Sequence, residues 1–416
     1  MTKTLIGRRA AVSGALGGAI AAHSRIAWAA DPIKIGFSIP QSGGLAAIGK
    51  QALLTMQIWS EDVNAKGGII GRPVQLVTYD DQSNPANVPP IYTKLLDVDK
   101  VDLIVTNGTN LTVPAMPIAM QRGKVVFCML SLAINDKFKY PRFFQTMPYG
   151  PHGKASISEG FFDVAMGMNP KPATVALVGA DAEFSNNVLI GARANAAKYG
   201  LRIVYDRVYP PATVDFSPIV RAIQATNPDI VLLASYPPDS VGMVRSATEL
   251  GLKTQLFGGA MVGMQYGGFM AQLADKLNRV VNYHMYVPSP KMTFAGLDAF
   301  LKKYQARAPA AGTDLLGFYQ PPFAYAALQV LEQAINATKS FDDGRLSDYI
   351  HANAFDTVVG KIRFNELGEW AKPGVLMIQF QNIQGSGLDQ YQQPGKQVIL
   401  YPPAYKDGEL MAPFAK

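Results

Sequence analysis

The stretch IKIGFSIPQSGGLAAIGKQALLTMQIWSEDVNAKGGIIGRPVQLVTYDD, residues 33–81, decides the fold. Two short apolar runs, IKIGFSI (33–39) and VQLVTYD (74–80), have the length and composition of strands. The segment between them, over about residues 46–65, has the longer pattern of a helix. A strand, a helix and a second strand in this order predict a βαβ unit with parallel strands.

The same alternation continues along the chain in two series. The first series adds the strand-like runs DLIVTN (102–107) and KVVFCML (124–130), with helices over about 86–98 and 113–122. The pattern breaks near 142–150, at PRFFQTMPYG. The second series has strand-like runs at 173–180, 201–208, 229–235, 254–259 and 280–287, with helices over about 184–199, 216–226 and 239–250. Two series predict an α/β protein with two Rossmann-like, doubly wound lobes. A helix over about 318–336 and the runs GVLMIQF and QVILYP complete one lobe or the other.

Residues 1–30 have the pattern of an export signal. They contain Lys3 and the pair Arg8-Arg9, then the run AAVSGALGGAIAA, then small residues suited to cleavage near Ala30. The arginine pair leaves a twin-arginine route open. A membrane anchor is the alternative, but the apolar run is shorter than a transmembrane helix. We therefore expect a mature chain that begins near residue 30 and lies outside the cytoplasm.

The composition argues against several classes of function. The formal net charge of +7 falls by four to +3 without the signal, and no basic cluster remains that would bind nucleic acid. Cys128 is the only cysteine, so no intramolecular disulfide forms, and its apolar neighbours indicate a buried small hydrophobe. The remaining histidines are dispersed, which predicts no metal site. No GxSxG, HExxH or paired CxxC motif is present, and we expect no enzyme activity and no cofactor.

The turns that follow the predicted strands are the candidate ligand-binding segments. In parallel sheets, ligands lie beyond the carboxyl ends of the strands, where helix N-termini offer free N–H groups. The polar turn VTNGTNLTVPA (105–115) occupies such a place, and equivalent turns span 41–50, 129–136, 179–187, 235–240 and 258–264. Residues 44–50 match GxxxxGK, but Gln51 stands where a phosphate-binding loop has Ser or Thr, so a glycine-rich turn is the preferred interpretation.

Four segments carry a resemblance to a known family. They are IKIGFSIPQSGGLAAIGK with GGIIGRPVQLVTYDDQSNP (33–50 and 67–85), ATELGLKTQLFGG (247–259), YAALQVL (325–331) and VVGKIRFNELGEW (358–370). With them the chain resembles the periplasmic solute-binding proteins of ABC importers, in the leucine/isoleucine/valine-binding class. That resemblance implies a type I periplasmic binding protein fold, in which three crossing segments join the lobes and a ligand closes them by hinge motion.

The resemblance also implies discontinuous lobes. The crossings fall near residues 147, 286 and 358, so lobe I comprises 31–147 and 287–357, and lobe II comprises 148–286 and 358–416.

On the first lobe, the resemblance places the ligand carboxylate at Thr109, with Asn110 beside it. A hydroxyl group and an N–H group at a helix start suit an anion. The alternative is that Thr109 or Asn110 only caps the helix. A second anion-contacting turn falls on Ala133 and Ile134, where the family often has Ala-Thr.

On the second lobe, family tyrosines correspond to Phe184 and Tyr236, which can flank the ligand. The alternative is that Phe184 is the first core residue of its helix. Amino-acid binders of the family carry a glutamate for the ligand α-ammonium, and this chain has Ala260, followed by Met261, at that position. A buried ammonium without a carboxylate costs several kcal/mol, so a ligand without an ammonium group is favoured. Glu183 is a possible substitute for the missing acid.

The remaining predicted pocket residues are Tyr149, Tyr319, Gln320 and Ile48, which with Met261 suit an aromatic or long apolar acid. The predicted function is a periplasmic binding protein, monomeric, that captures a small carboxylate and delivers it to an ABC permease in the inner membrane. A binder of branched-chain or other hydrophobic amino acids and an extracytoplasmic ligand sensor are the alternatives.

Overall fold

Two β-sheets with helices packed on them form two lobes. The structure is a computed structural model that describes residues 31–415. The predicted export signal at residues 1–30 therefore lies outside the described residues. Within 31–415 no helix is both long enough and apolar enough to cross a membrane.

The first sheet contains five parallel strands in the order β2-β1-β3-β4-β5. Its strands and the helices between them are β1 (Ile33–Ile39), α1 (Ala46–Ala65), β2 (Val74–Asp80), α2 (Val88–Asp97), β3 (Leu103–Thr106), α3 (Thr109–Gln121), β4 (Val126–Cys128), α4 (Asn135–Phe138) and β5 (Phe143–Gln145). Successive residues of β3 enter different cores: Leu103 and Val105 join one cluster, and Ile104 joins the other. Both faces of the sheet are therefore covered at its centre, which explains why β3 (LIVT) and β4 (VFC) are almost wholly apolar.

The second sheet is larger and mixed, in the order β14-β13-β10-β9-β8-β6-β7. It begins with α5 (Gly153–Met166), β6 (Thr174–Ala180), α6 (Glu183–Lys198), β7 (Arg202–Tyr209), α7 (Ser217–Ala225), β8 (Ile230–Ser235), α8 (Pro237–Glu249), β9 (Leu256–Met261), α9 (Gly267–Leu273) and β10 (Val281–His284). The strands from β6 to β10 are parallel, whereas β13 (Leu376–Phe380) and β14 (Gln397–Tyr401) add antiparallel to one edge. The two apolar runs near the C-terminus thus complete the second lobe.

The segment between β10 and β13 returns to the first lobe. It forms α10 (Leu297–Ala311), α11 (Pro321–Thr338), α12 (Asp343–Ala352) and the hairpin of β11 (Ala354–Thr357) and β12 (Gly360–Arg363). Helices α10 and α11 pack on α1, and α11 packs on α12 and β11. The chain therefore passes between the sheets three times.

The third passage lies later in the chain than the predicted crossing near residue 358. The Val358 N–H donates to Gln329 Oε1 on α11 at 2.9 Å, and the ring of Phe364 packs edge-on against Phe144 of β5 at 5.3 Å. Residues 358–364 are therefore held by the first lobe, and not by the second lobe to which the sequence assigned them. The chain reaches the second sheet at Leu376.

Several elements were missing from the sequence-based prediction. Strand β5 lies within the segment where the pattern appeared to break, and α5, α10 and α12 were not predicted. The predicted third helix begins four residues earlier than expected, at Thr109. Cys128 is free and buried, in agreement with its apolar sequence context.

Candidate functional site

The turns after the strands of both sheets meet between the lobes around a narrow cavity. Its volume is about 30 Å³, which is room for one or two water molecules. Predicted ligand contacts from both lobes line it, namely Ile48, Thr109, Asn110, Tyr149, Phe184, Tyr236 and Tyr319. Leu45, Gly108, Leu130 and Val262 complete the lining. The fold therefore brings together residues that lie far apart in the sequence.

Gly108 shapes the turn at the start of α3. It adopts φ +85°, a left-handed conformation that glycine accepts without steric cost. Its N–H donates to the Leu130 carbonyl at 2.7 Å, and its carbonyl accepts from the Thr112 N–H at 2.8 Å. These bonds tie the turn to the neighbouring loop and direct the first residues of α3 into the cavity wall.

Thr109 links two loops and does not cap its own helix. Its Oγ1 accepts the Leu132 N–H at 3.1 Å, and no side chain caps the start of α3. Among residues 31–415, no acceptor takes the backbone N–H of Thr109 or Asn110. The hydroxyl proton of Thr109 and these two N–H groups therefore remain available as donors at the positive end of the helix dipole.

Asn110 connects the two lobes directly. Its Oδ1 accepts from the Tyr236 hydroxyl at 2.8 Å and from the Phe184 N–H at 3.3 Å. A third bond runs from Asn187 Nδ2 to the Leu132 carbonyl at 3.1 Å. These contacts hold the walls of the cavity together, so a ligand larger than a few atoms requires them to open.

Four of the eleven residues in the cavity wall are aromatic. Phe184 meets Tyr236 edge-on at 6.0 Å, and the hydroxyl groups of Tyr283 and Tyr319 are 2.6 Å apart. The Tyr149 hydroxyl is buried and has no hydrogen-bond partner among the described residues. An unpaired buried hydroxyl costs free energy, and a ligand with a polar atom can satisfy it.

Among residues 31–415, no charged side chain lines the cavity. Burial raises the pKa of Tyr319 to about 12 and also raises the pKa values of Tyr149 and Tyr236, so all three phenols stay neutral. Burial lowers the pKa of the nearby His284 to about 3, so this imidazole is neutral as well. In this setting the donors at the start of α3 are the features that favour a negative charge. Among the described residues no group of His, Cys, Asp and Glu is arranged to hold a metal ion.

Five of the predicted contacts do not line the cavity. Ala133 is buried in a left-handed conformation at φ +54°, and Ile134 is buried in the core beneath α3. Ala260 and Met261 are the last residues of β9, and the Met261 N–H donates to Asn282 Oδ1 at 2.9 Å. Gln320 lies behind the Gly108 turn, where its amide bonds the side chain of Asn107. A ligand-binding role for these five stays a prediction.

The segment after β9 lacks an acid whichever of its residues corresponds to the family's glutamate. Val262 takes the place at the cavity wall that was expected for Ala260 or Met261, and the whole segment 258–266 (GGAMVGMQY) lacks Asp and Glu. Glu183 is exposed and lies outside the lining. Neither sequence-based candidate therefore places a carboxylate in this cavity.

A second, larger cavity adjoins the first on its outer side. Its volume is about 360 Å³, and it shares Leu45, Asn110 and Tyr236 with the inner cavity. The buried carboxyl group of Asp239, in the first turn of α8, lines it. Sequence reasoning did not single out Asp239, because an acid near a helix start is ordinarily a capping residue.

Sequence reasoning also missed Tyr283, Leu45, Leu130 and Val262. Leu45 and Val262 lie within turns that were expected to face the ligand. The sequence therefore predicted which turns line the cavity, but not which of their side chains point into it. Tyr283 belongs to an apolar strand and gave no signal of its own.

Comparison with known proteins agrees with this architecture. A family model described as Periplasmic binding protein matches residues 32–377. The chain belongs to the periplasmic binding protein family. One curated relative is Leu/Ile/Val-binding protein homolog 7 of Brucella suis biovar 1, which is 26% identical over 397 residues and aligns 92% of this chain with 94% of its own length.

Solved periplasmic binding proteins share the fold. The branched-chain amino acid transporter substrate-binding protein LivJ from Streptococcus pneumoniae, in complex with isoleucine, superposes with a TM-score of 0.73 at 19% identity, covering 89% of this chain and 100% of that one. A solute-binding protein from R. palustris, in complex with benzoate, gives a TM-score of 0.73 at 18% identity, covering 91% and 98%. At such identities the two structures establish the common type I fold, and the ligand must be argued from the residues of this chain.

Proposed function

We propose that this protein is the extracytoplasmic substrate-binding protein of an ABC importer and that it captures a small carboxylic acid without an α-ammonium group. The observation that carries the proposal is the neutral, aromatic inter-lobe cavity with free donors at the start of α3 and no acid in its wall. The family membership and the names of the structural relatives support the transport role.

The carboxylate would lie against Thr109 and Asn110. Their unpaired N–H groups, the Thr109 hydroxyl and the helix dipole all favour an anion at this place. The Tyr149 hydroxyl, which is buried and has no partner within the part of the chain that the structure describes, supplies one more donor in the same wall.

The body of the ligand would be apolar or aromatic. Phe184, Tyr236, Tyr319 and the aliphatic side chains of Ile48 and Val262 present few polar atoms besides the phenol hydroxyls. Such walls suit aromatic rings, which pack edge-on or offset against one another.

Binding would require a change of shape. The inner volume of about 30 Å³ is far below the several hundred Å³ of ordinary small-molecule sites. The lobes would therefore separate at the Asn110 contacts to admit the ligand and close again around it, by hinge motion at the three passages between the lobes. The closed form would be the one that a permease in the inner membrane recognises, and we propose that the protein acts there as a periplasmic monomer.

Binding of branched-chain amino acids is the second candidate. The relative named as a Leu/Ile/Val-binding protein homolog and the isoleucine complex of LivJ favour it. That function needs an acceptor for the α-ammonium, and the inner wall would have to supply it from neutral oxygens such as Asn110 Oδ1 and the tyrosine hydroxyls.

A thermal-shift screen of the mature protein separates the two candidates. One panel contains branched-chain and aromatic amino acids, and the matched panel contains the same carbon skeletons as acids without the amino group. A ligand that binds the native state raises the melting temperature by mass action. A rise with the acids alone supports the proposal, whereas a rise with the amino acids alone overturns it in favour of the second candidate.

A further inference from the structure

The outer cavity between the lobes is large enough for part of a ligand. Its volume of about 360 Å³ falls within the range of small-molecule sites. Gly44, Ser83 and Pro85 of the first lobe and Pro211, Pro238 and Asp239 of the second lobe line it. Because each lobe supplies one wall, this site is complete only when the lobes approach each other.

Leu45, Asn110 and Tyr236 lie at the boundary between the outer cavity and the inner one. Asn110 and Tyr236 line both cavities, and the Tyr236 hydroxyl donates to Asn110 Oδ1 at 2.8 Å across the gap. A ligand that displaces this bond joins the two spaces into one elongated site. One end of that site is the α3 N-terminus, and the other end is Asp239.

Asp239 is the charged side chain in the outer wall. It is only 5% exposed, and one of its oxygens accepts from the Tyr209 hydroxyl at 3.1 Å. No side chain among residues 31–415 donates to its second oxygen. Burial raises the pKa of this carboxyl group to about 6, while the Tyr209 hydroxyl and backbone N–H groups of Tyr236 and Asp239 act in the opposite direction. A carboxylate offers about four lone-pair sites, so this group can accept another hydrogen bond besides these.

We propose that the outer cavity is the distal half of the ligand site and that Asp239 accepts a hydrogen bond from a hydroxyl group at the end of the ligand remote from its carboxylate. The inference rests on the proposed function and narrows the substrate class to hydroxylated, largely apolar carboxylic acids. A hydroxyl group has one proton to donate, which one carboxylate oxygen can accept. An ammonium group has three, whereas the side chains of Leu45, Pro85, Pro211 and Pro238 in the same wall carry no acceptor.

Flat rings suit the same walls. Pro85, Pro211 and Pro238 have rigid, weakly polar rings, and Leu45 and Tyr236 continue this surface toward the inner cavity. A phenolic acid, with its carboxylate at α3 and its hydroxyl at Asp239, satisfies both polar ends and buries its ring between them.

Titration calorimetry with matched acids tests the inference. The probes are benzoate and 4-hydroxybenzoate, and 3-phenylpropanoate and 3-(4-hydroxyphenyl)propanoate, each with the corresponding 4-aminomethyl compound. In at least one pair, the hydroxylated acid should bind about 10- to 100-fold more tightly than its parent, the range for a hydrogen bond to a charged group. Asp239→Asn and Asp239→Ala should reduce this ratio to near one.

Two controls keep the test decisive. Asp181→Asn alters an exposed acid of a neighbouring turn and should leave the ratio unchanged. Tyr209→Phe removes the internal partner of Asp239 but keeps the carboxylate, so the hydroxyl preference should survive. The comparison of acids in the unaltered protein needs no variant and stands even if the Asp239 variants fail to fold.

Each outcome decides between the claims. Equal binding within every pair, or a preference that persists without Asp239, overturns this inference but leaves the proposed function intact. A preference for the aminomethyl compounds overturns the hydroxyl assignment. If none of these acids binds, the proposed function and this inference both fail.

Discussion

Replacement of Tyr236 by phenylalanine tests whether hydrogen bonds between the lobes hold the cleft closed. The Tyr236 hydroxyl donates to Asn110 Oδ1 at 2.8 Å, and phenylalanine keeps the ring and its edge contact with Phe184 while removing this bond. A neutral hydrogen bond contributes about 0.5–1.5 kcal/mol net, which corresponds to a change of about 2- to 12-fold in the ratio of closed to open molecules. The free variant should therefore open more often than the parent protein.

Distances between spin labels on the two lobes measure this ratio. Cys128 is buried, so labels can be attached selectively to cysteines introduced at Val98 and Val214, which are 70% and 92% exposed. Double electron–electron resonance should show a larger fraction of long distances for Tyr236→Phe. Tyr199→Phe is the matched control, because the Tyr199 hydroxyl bonds Asp163 within the second lobe. Identical distance distributions for the two variants would refute the reasoning.

Three further predictions concern the ligand site and pH. Thr109→Ala removes the acceptor of the Leu132 N–H and a proposed ligand donor, and should weaken carboxylate binding by about 1–3 kcal/mol in calorimetry, whereas Thr109→Ser should retain most of the affinity. Ala260 and Val262 are both buried, so a glutamate at either position should lower the free energy of unfolding by several kcal/mol. Val262 lines the cavity, so Val262→Glu is compared with the neutral Val262→Gln: the added carboxylate should impair binding of simple acids, and equal binding by the two variants would contradict the proposed site. Burial raises the pKa of Glu369 from 4.5 to about 8. Because the unfolded chain loses this proton at lower pH than the folded chain, the free energy of unfolding should fall as pH rises from 4.5 to 8. Chemical unfolding at several pH values should show a flatter profile for Glu369→Gln, and an unchanged profile would contradict the raised pKa.

Elements with a clear local period, such as β1 and α1, could be predicted from the sequence. The apolar run at 33–39 became β1 with the predicted bounds, and the helix predicted over about 46–65 became α1. Strand β5 could not be predicted in this way, since three residues between prolines carry no measurable period. Its assignment depends on the parallel pairing of Phe143, Phe144 and Gln145 with β4, which is a tertiary contact.

The lobe boundary near residue 358 shows the same limit. The family resemblance placed a crossing near residue 358, but Val358 and Phe364 are held by Gln329 and Phe144 of the first lobe. Which lobe a short hairpin joins depends on the side chains that it meets after folding, and these partners are distant in sequence.

The sequence by itself determined the class of fold and the turns that form the cleft, because strand and helix periods and glycine turns are encoded in neighbouring residues. It also determined that the segment after β9 lacks an acid. The tertiary structure decided which side chains of those turns face the cavity, that Asn110 joins the lobes through Tyr236, and that Asp239 lines a second space beside them. These facts depend on backbone direction at single residues, as at Ala133, and on distances between lobes, neither of which a one-dimensional pattern contains.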